Sequence, residues 1–257
     1  MYETIEYVVA NNVCTILLNR PDSLNAFTAT MNRELTKAIK QAEKDSNVRC
    51  IVIKGAGKGF CSGQDLSVVD ESMDHGEVLN TLYGPMMKQI YNCEKPIIAG
   101  VHGPAAGAGF SLALACDFRI MAEKSFFLNA FVHVGLIPDS GNLYFLKQLV
   151  GNAKALEISV LGERILPNEA LALGLATKIV ENETFDEEVD SFARNIANLP
   201  TKAISLMKRT LRAADELSFD EFLAYEAQGQ RIAGLTKDHR EGVQAFTEKR
   251  KPIFVGE

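Results

Sequence analysis

The chain lacks a cysteine pattern, a basic charge excess and any long apolar run, and each absence counts against a class of protein. Its five cysteines, Cys14, Cys50, Cys61, Cys93 and Cys116, are odd in number and widely spaced. That is no disulfide framework, and it predicts buried thiols in a reducing, cytoplasmic compartment. No CxxC or Cys/His spacing suggests zinc, so no metal is expected. Asp and Glu outnumber Lys and Arg by 33 to 27, a net charge of −6. Nucleic-acid binders usually carry a basic surface, so no such partner is expected. No apolar stretch reaches membrane-spanning length. The first residues are acidic and pass into a strand pattern, with no signal-peptide pattern. No segment is of low complexity.

What is present suits one large domain, or a domain with an appendage. The chain has 257 residues, 47% of them apolar, enough for a sizeable core. Apolar runs at 5–9 and 13–18 flank Asn11-Asn12, a hairpin signal. Phe27, Met31, Leu35, Ala38, Ile39 and Ala42 recur at helical spacing. Buried strands are read at 50–54 and 96–101, and a further strand at 117–122. Residues 65–77 are polar and irregular, a candidate mobile loop, followed by a helical pattern at 79–91. Residues 126–134 are apolar and ambiguous. Gly135–Gly141 reads as a turn into a helix over 140–150, with alanine-rich helices at 153–161 and 168–173 and Gly174 as a C-cap. Past Val180 the strand signal fades. Thr184–Glu187 and Ser218–Glu221 both fit the capping box, in which a hydroxyl and a glutamate satisfy each other's end of a helix. Helices are also read at 201–212 and 238–249. The shift near residue 195 divides the chain into 1–195, an α/β core, and 196–257, a helical C-terminal region.

Two small-residue segments are the most informative. Gly55–Leu66 reads GAGKGFCSGQDL and Gly103–Leu112 reads GPAAGAGFSL. Each follows a buried strand and precedes a helical pattern. Small side chains there leave backbone N–H groups uncovered, and two such groups aimed at one point form an oxyanion hole. The same residues would also serve tight turns and close helix packing. GAGKG lacks the spacing of a nucleotide P-loop.

With Leu18–Phe27 (LNRPDSLNAF), Asp117, Gly135–Gly141 (GLIPDSG) and Ala245–Lys251 (AFTEKRK), these segments resemble the crotonase, or enoyl-CoA hydratase/isomerase, superfamily along essentially the whole chain. Residues 59–66, 105–109 and 135–139 resemble in particular the ring-epoxide isomerases of bacterial phenylacetyl-CoA degradation. The resemblance implies an α/β spiral of ββα units with a helical C-terminal trimerisation region. On this basis 1–195 would be the acyl-CoA-binding core and 196–257 the oligomerisation region of a homotrimer or hexamer. The implied ligand is an acyl-CoA thioester, whose coenzyme A belongs to the substrate, so no separate cofactor is implied. Whether a partner subunit is needed stays open.

Residue by residue, the resemblance places the oxyanion donors at the backbone N–H groups of Gln64 and Ala108. The family usually has glycine where Ala108 stands. One such donor is worth roughly 3–4 kcal/mol in the transition state. Hydratases of the family use two glutamates, and at those positions this chain has Ser111 and Phe131. That departure points away from ordinary hydration. Asp139 stands where the resembling isomerases carry a catalytic aspartate, and a single acid/base suits isomerisation through an enolate. Pro-Asp-Ser before a helix is also a good N-cap, which would depress the carboxyl's pKa where a base in an apolar pocket wants it raised. Ser23, Leu24, Ser62, Gly63, Asp65, Leu66 and Gly107 would lie along the CoA and thioester path, Asp65 in a structural role. Phe246 and Lys249 match places where the family's last helix reaches a CoA, often a neighbouring subunit's. Lys249–Lys251 equally suits a solvated helix end. His133 and the phenylalanines 110, 126, 127 and 131 are candidate lining residues. The expected function is an acyl-CoA isomerase shifting a double bond or rearranging a ring epoxide. The alternatives are an enoyl-CoA hydratase with atypical water activation and a non-catalytic CoA-binding or scaffolding subunit.

Overall fold

The structure, a computed structural model, describes residues 2–68 and 73–257. The chain opens with a hairpin of β1 (Ile5–Ala10) and β2 (Val13–Leu18). Asn11 and Asn12 both take positive φ, 52° and 62°, as a two-residue turn matched to strand twist requires. Helix α1 (Ala29–Lys44) starts two residues later than the apolar spacing suggests, because the Thr28 hydroxyl caps it at the Met31 N–H. Next come β3 (Cys50–Gly55), α2 (His75–Val78), a π-helical turn over Leu79–Tyr83, and α3 (Gly84–Asn92). Part of the expected irregular segment, 69–72, lies outside the described residues. Then follow β4 (Ile97–Val101), β5 (Pro104–Ala106), α4 (Ala108–Ala115), β6 (Phe118–Ala122), β7 (Phe126–Leu128) and a 3-10 turn over Ala130–Val134. The chain continues with α5 (Asn142–Leu161), β8 (Arg164–Ile165), α6 (Pro167–Ala172), β9 (Lys178–Val180) and α7 (Phe185–Ala197). It closes with α8 (Thr201–Ala213), α9 (Phe219–Gly234) and α10 (Lys237–Glu248).

The strands form two sheets. The larger has the order β1-β2-β3-β4-β6-β9, parallel except for the hairpin. Its central strands are apolar on both faces, as buried parallel strands are. In β3, Ile51 and Ile53 face a core that includes α1, while Cys50 and Val52 face Phe185, Val189, Ala193 and Ala197 of α7. The smaller sheet has the order β5-β7-β8, and single bridges Cys61–Ala105 and Phe27–Gln64 extend its line. Each of β2, β3, β4 and β6 in the large sheet is thus followed by a crossing of the second sheet's line and then a helix. This is the spiral of ββα turns that the resemblance implies. Three-residue β5 is too short and glycine-flanked to show in hydrophobic periodicity.

The C-terminal helices are held by buried polar links. Arg49 donates to Leu199 O at 2.6 Å, Thr201 Oγ at 2.9 Å and Phe254 O at 2.7 Å. Asp238 accepts the N–H groups of Val255 and Gly256. Asp117 takes the Ile97 N–H and pairs with Lys208 on α8 at 2.6 Å. The Ser218–Glu221 capping box forms. The expected box at Thr184 does not: Thr184 has φ −102° and ψ 2° rather than extended backbone, and its hydroxyl caps nothing. All five cysteines are buried and unpaired. Burial pushes the Cys14 and Cys93 thiols up to about 11 and those of Cys61 and Cys116 to about 12, which makes them poor nucleophiles. No helix among the described residues is long and apolar enough to cross a membrane.

The spiral requires its turns to touch backbone to backbone. A Cβ on Gly109 would fall 2.1 Å from the Cys61 carbonyl oxygen, so the α4 axis must move if one is added. Gly109→Ala is expected to cost about 3 kcal/mol, at the upper end of ordinary overpacking, measured by urea unfolding.

Candidate active site

The two small-residue loops meet. Gly63 takes φ +98°, and a Cβ there would lie 2.9 Å from Ala106 O and 3.3 Å from Ala108 N. Gly107, the residue preceding α4, has φ 52° and ψ −124°, a conformation for which a side chain is costly. Its own N–H is spent on Leu128 O at 3.0 Å.

That arrangement leaves two donors free. Phe27 bridges to Gln64 through the carbonyl of Gly63 and the N–H of Asp65. A parallel bridge uses the groups on either side of the bridging residue, so the Gln64 N–H points away from Phe27. Ala108 is the first residue of α4, where helical N–H groups have no partner within the helix. Among the described residues neither N–H has a hydrogen-bond acceptor. Gln64, Ala108, Gly63 and Gly107 all line one cavity of about 310 Å³.

The cavity's other walls are largely apolar: Leu66, Met73, Val78, Leu79, Ala130, Phe131, Val134 and Leu136. Three titratable side chains line it among the described residues, His75, Tyr83 and Asp139. Tyr83 closes the π-helical turn, packs edge-on to Phe27 and donates its hydroxyl to Gln64 Oε1. Burial raises its phenol pKa, so it stays a neutral donor. Sequence reasoning missed Tyr83 and, taking scattered histidines as structural, gave His75 no role. A π-helical insertion leaves no clear mark in apolar spacing, although such insertions are frequent at functional sites.

Asp139 is not the helix cap that its sequence context suggests. Ser140 and Gly141 both take left-handed backbone, φ 54° and 75°, so α5 starts at Asn142 and Gly141 is the capping residue. The Asp139 backbone carbonyl, not its carboxylate, takes the Asn142 N–H at 2.9 Å. The carboxylate accepts from the Ser140 hydroxyl at 2.9 Å. Burial raises its pKa, and the Ser140 hydrogen bond and the nearby His75 only partly offset this. The conflict between a cap's low pKa and a base's high one is therefore absent.

Ser111 does not line the cavity as a substrate-binding residue would. It is fully buried behind the wall, with its hydroxyl against Gly107 O at 3.2 Å and Asp139 O at 3.0 Å. Ser62 and Ser23 join their loops through Ser62 Oγ to Ser23 O at 3.2 Å and Ser62 N to Leu24 O at 3.0 Å. Leu24 takes left-handed backbone, φ 49°, and is partly exposed. Asp65 pairs with Arg20 at 2.8 Å and accepts from the Ser67 hydroxyl, which lowers its pKa. Asn25, quoted in the motif but given no role, ties the same loops by donating to Ala56 O and Gly59 O. Phe110 and Phe127 stack in the core and His133 turns toward Gly162, so of these candidates only Phe131 reaches the cavity. Phe246, 87% exposed, and Lys249 lie on the outer end of α10 and do not line it. Among the described residues no three His, Cys, Asp or Glu side chains gather as a metal site would need.

A fold of ββα turns with two free N–H groups over an apolar cavity has the geometry to hold an oxyanion. Residues 9–257 match the enoyl-CoA hydratase/isomerase family, and the chain belongs to it. It is 38% identical to the 1,2-epoxyphenylacetyl-CoA isomerase of Escherichia coli K12, over 100% of both chains. It is 39% identical to a Rhodobacter capsulatus protein named "Probable enoyl-CoA hydratase", over 99% of both. The crystal structure of enoyl-CoA hydratase from Bacillus anthracis superimposes with a TM-score of 0.92 at 32% identity, covering 99% of this chain and 100% of that one.

Between the ordinary carboxylate pKa and the raised one of Asp139, the folded protein binds more protons than the unfolded chain. Stability therefore falls as pH rises through that window, and the deficit persists above it. Asp139→Asn removes the deficit, so its melting temperature at neutral pH should exceed the parent's, with the difference closing in acid. A thermal-melt series against pH measures this.

Proposed function

We propose that the protein is an acyl-CoA isomerase that works through a thioester enolate with Asp139 as its only acid/base. One observation carries the reading: Asp139 is the only carboxylate among the described residues lining the cavity into which Gln64 and Ala108 leave unpaired N–H groups. The Asp139 carboxylate takes a proton α or γ to the thioester. The electron pair moves onto the thioester oxygen, held between the two N–H groups. The carboxylic acid then returns the proton at the other carbon, which completes a double-bond shift or accompanies rearrangement of a ring epoxide. A raised pKa makes the carboxylate the stronger base for the abstraction step.

In this reading the thioester arm runs past Gly63 and Gly107, and CoA lies along Ser23, Leu24 and the Ser62–Leu66 backbone. Phe131 walls the acyl end. Residues 1–195 bind substrate, and 196–257 join copies into a trimer or hexamer. Support for the second part comes from α9, which buries no residue within one chain, and from Phe219, Leu235 and Phe246, which stand out from the C-terminal helices. Phe246 and Lys249 are then placed to meet the CoA of a neighbouring copy. Five buried free thiols suit a cytoplasmic setting. The Rhodobacter relative's name keeps hydration as a second reading, which would need water activated without a second carboxylate.

Asp139→Asn should stop deuterium exchange from solvent into an enoyl-CoA, with a loss of about 10²–10⁴-fold, read by mass spectrometry. Undiminished exchange in that variant sinks the mechanism, and net addition of water by the parent enzyme would favour hydration. Ala108→Val, whose branched side chain crowds the N–H, should lower kcat by about 10²-fold with the fold retained.

A further inference from the structure

Behind the cavity wall lies a chain of four buried polar side chains that the reaction does not touch. Ser111 sits one turn into α4 and Asn142 opens α5; both are fully buried. Asn142 Nδ2 donates to Ser111 Oγ at 3.2 Å. Asn142 Oδ1 accepts from Asn129 Nδ2 at 3.1 Å, and Asn129 Nδ2 also reaches Ser159 Oγ at 3.0 Å. Ser159 closes the chain on Ala155 O at 2.7 Å.

The directions of these bonds matter. Because Asn142 donates into Ser111 Oγ, the single hydroxyl proton must go outward to a carbonyl. Two are in reach: Asp139 O at 3.0 Å and Gly107 O at 3.2 Å. Gly107 O already takes the Ser111 N–H at 3.0 Å, so the shorter contact to Asp139 is favoured. Asp139 O also takes the Asn142 N–H. Ser111 and Asn142 thus hold the Asp139 backbone from two sides, and Ser111 grips the residue just before the Ala108 donor.

Apolar side chains would fill this space without the cost of burying amides and a hydroxyl. What they would not supply is direction. The backbone after Asp139 is left-handed at Ser140, a conformation that persists only where the surroundings over-determine it.

We infer that Ser111 and Asn142 are a positioning pair that fixes the Asp139 carboxyl relative to the Ala108 N–H, an inference that rests on Asp139 as the acid/base. Neither residue touches substrate. The pair sets the distance across which a proton moves while charge builds on the thioester oxygen, and small displacements there are costly.

The test compares Ser111→Ala, Ser111→Thr and Ser111→Cys with the parent in solvent-deuterium exchange on an enoyl-CoA, with KM and melting temperature recorded. Ser111→Ala should lose about 10- to 100-fold in kcat with KM unchanged within about twofold, since the thioester path is intact. Ser111→Thr, which restores a hydroxyl, should recover most of that loss. A folded Ser111→Ala protein with parental kcat, or one whose only change is in KM, overturns the pairing. If Ser111→Ala does not fold, Ser111→Cys keeps the volume with a weaker, longer donor and should show the same split; parental kcat there also overturns it. Asp139→Asn separates the two layers. Exchange surviving in Asp139→Asn overturns the acid/base assignment and the pairing with it. Exchange lost there but untouched in the Ser111 variants overturns the pairing alone.

Discussion

Everything in the site depends on one close approach, that of the Cys61–Gly63 backbone to the Ala106–Gly109 backbone. Gly109 has no room for a Cβ over the Cys61 carbonyl, and Gly63 has almost none against Ala106 O and Ala108 N. Side chains at either position would push the turns of the spiral apart. With the turns in contact, the Gln64 and Ala108 N–H groups are left over by the bonding pattern itself: one turns away from a parallel bridge and the other begins a helix. The unsatisfied donors are a by-product of how two ββα turns must stack. Their stacking also sinks them beneath apolar residues, where a developing oxyanion has little competing water.

The same packing explains the carboxyl. Asp139 enters the cavity from a loop between the second sheet and α5, so its charge is desolvated by the walls that shelter the N–H groups. Two left-handed residues after it delay the helix and free its carboxylate from capping. Ser111 from α4 and Asn142 from α5 both bond the Asp139 backbone carbonyl, and Asn129 and Ser159 extend that chain behind them. The desolvated carboxyl costs stability, as buried charge does.

Much of this was legible from residues. Wherever burial makes periodicity strong, as in β3, β4, α1 and the hairpin at Asn11-Asn12, the reading of the sequence matches the element. The glycines of 55–63 and 103–109 marked the loops because only a missing side chain permits their contacts. What escaped was set by tertiary geometry. Short β5 has no period to read. Tyr83, which bonds Gln64, closes a π-helical turn, and apolar spacing cannot report the extra residue such a turn contains. Thr184 and Asp139 each fit a capping pattern, yet the pattern records only residue types, while the backbone angles that decide capping come from what packs around them.

Ser111 and Phe131 give the sharpest lesson in how one fold changes its chemistry. At these positions the hydratases the chain resembles carry glutamates. Here one position holds a ring that walls the cavity, and the other a hydroxyl that never reaches it. A carboxylate at 111 would displace the Asn142 contact and crowd the bonds that hold Asp139. If Asp139 is the acid/base, restoring a glutamate at 111 would first dismantle the support of that residue. On the proposed reading the site works with a single carboxylate, because Ser111, at one of the two positions, is bonded to the Asp139 backbone and Phe131, at the other, is part of the cavity wall.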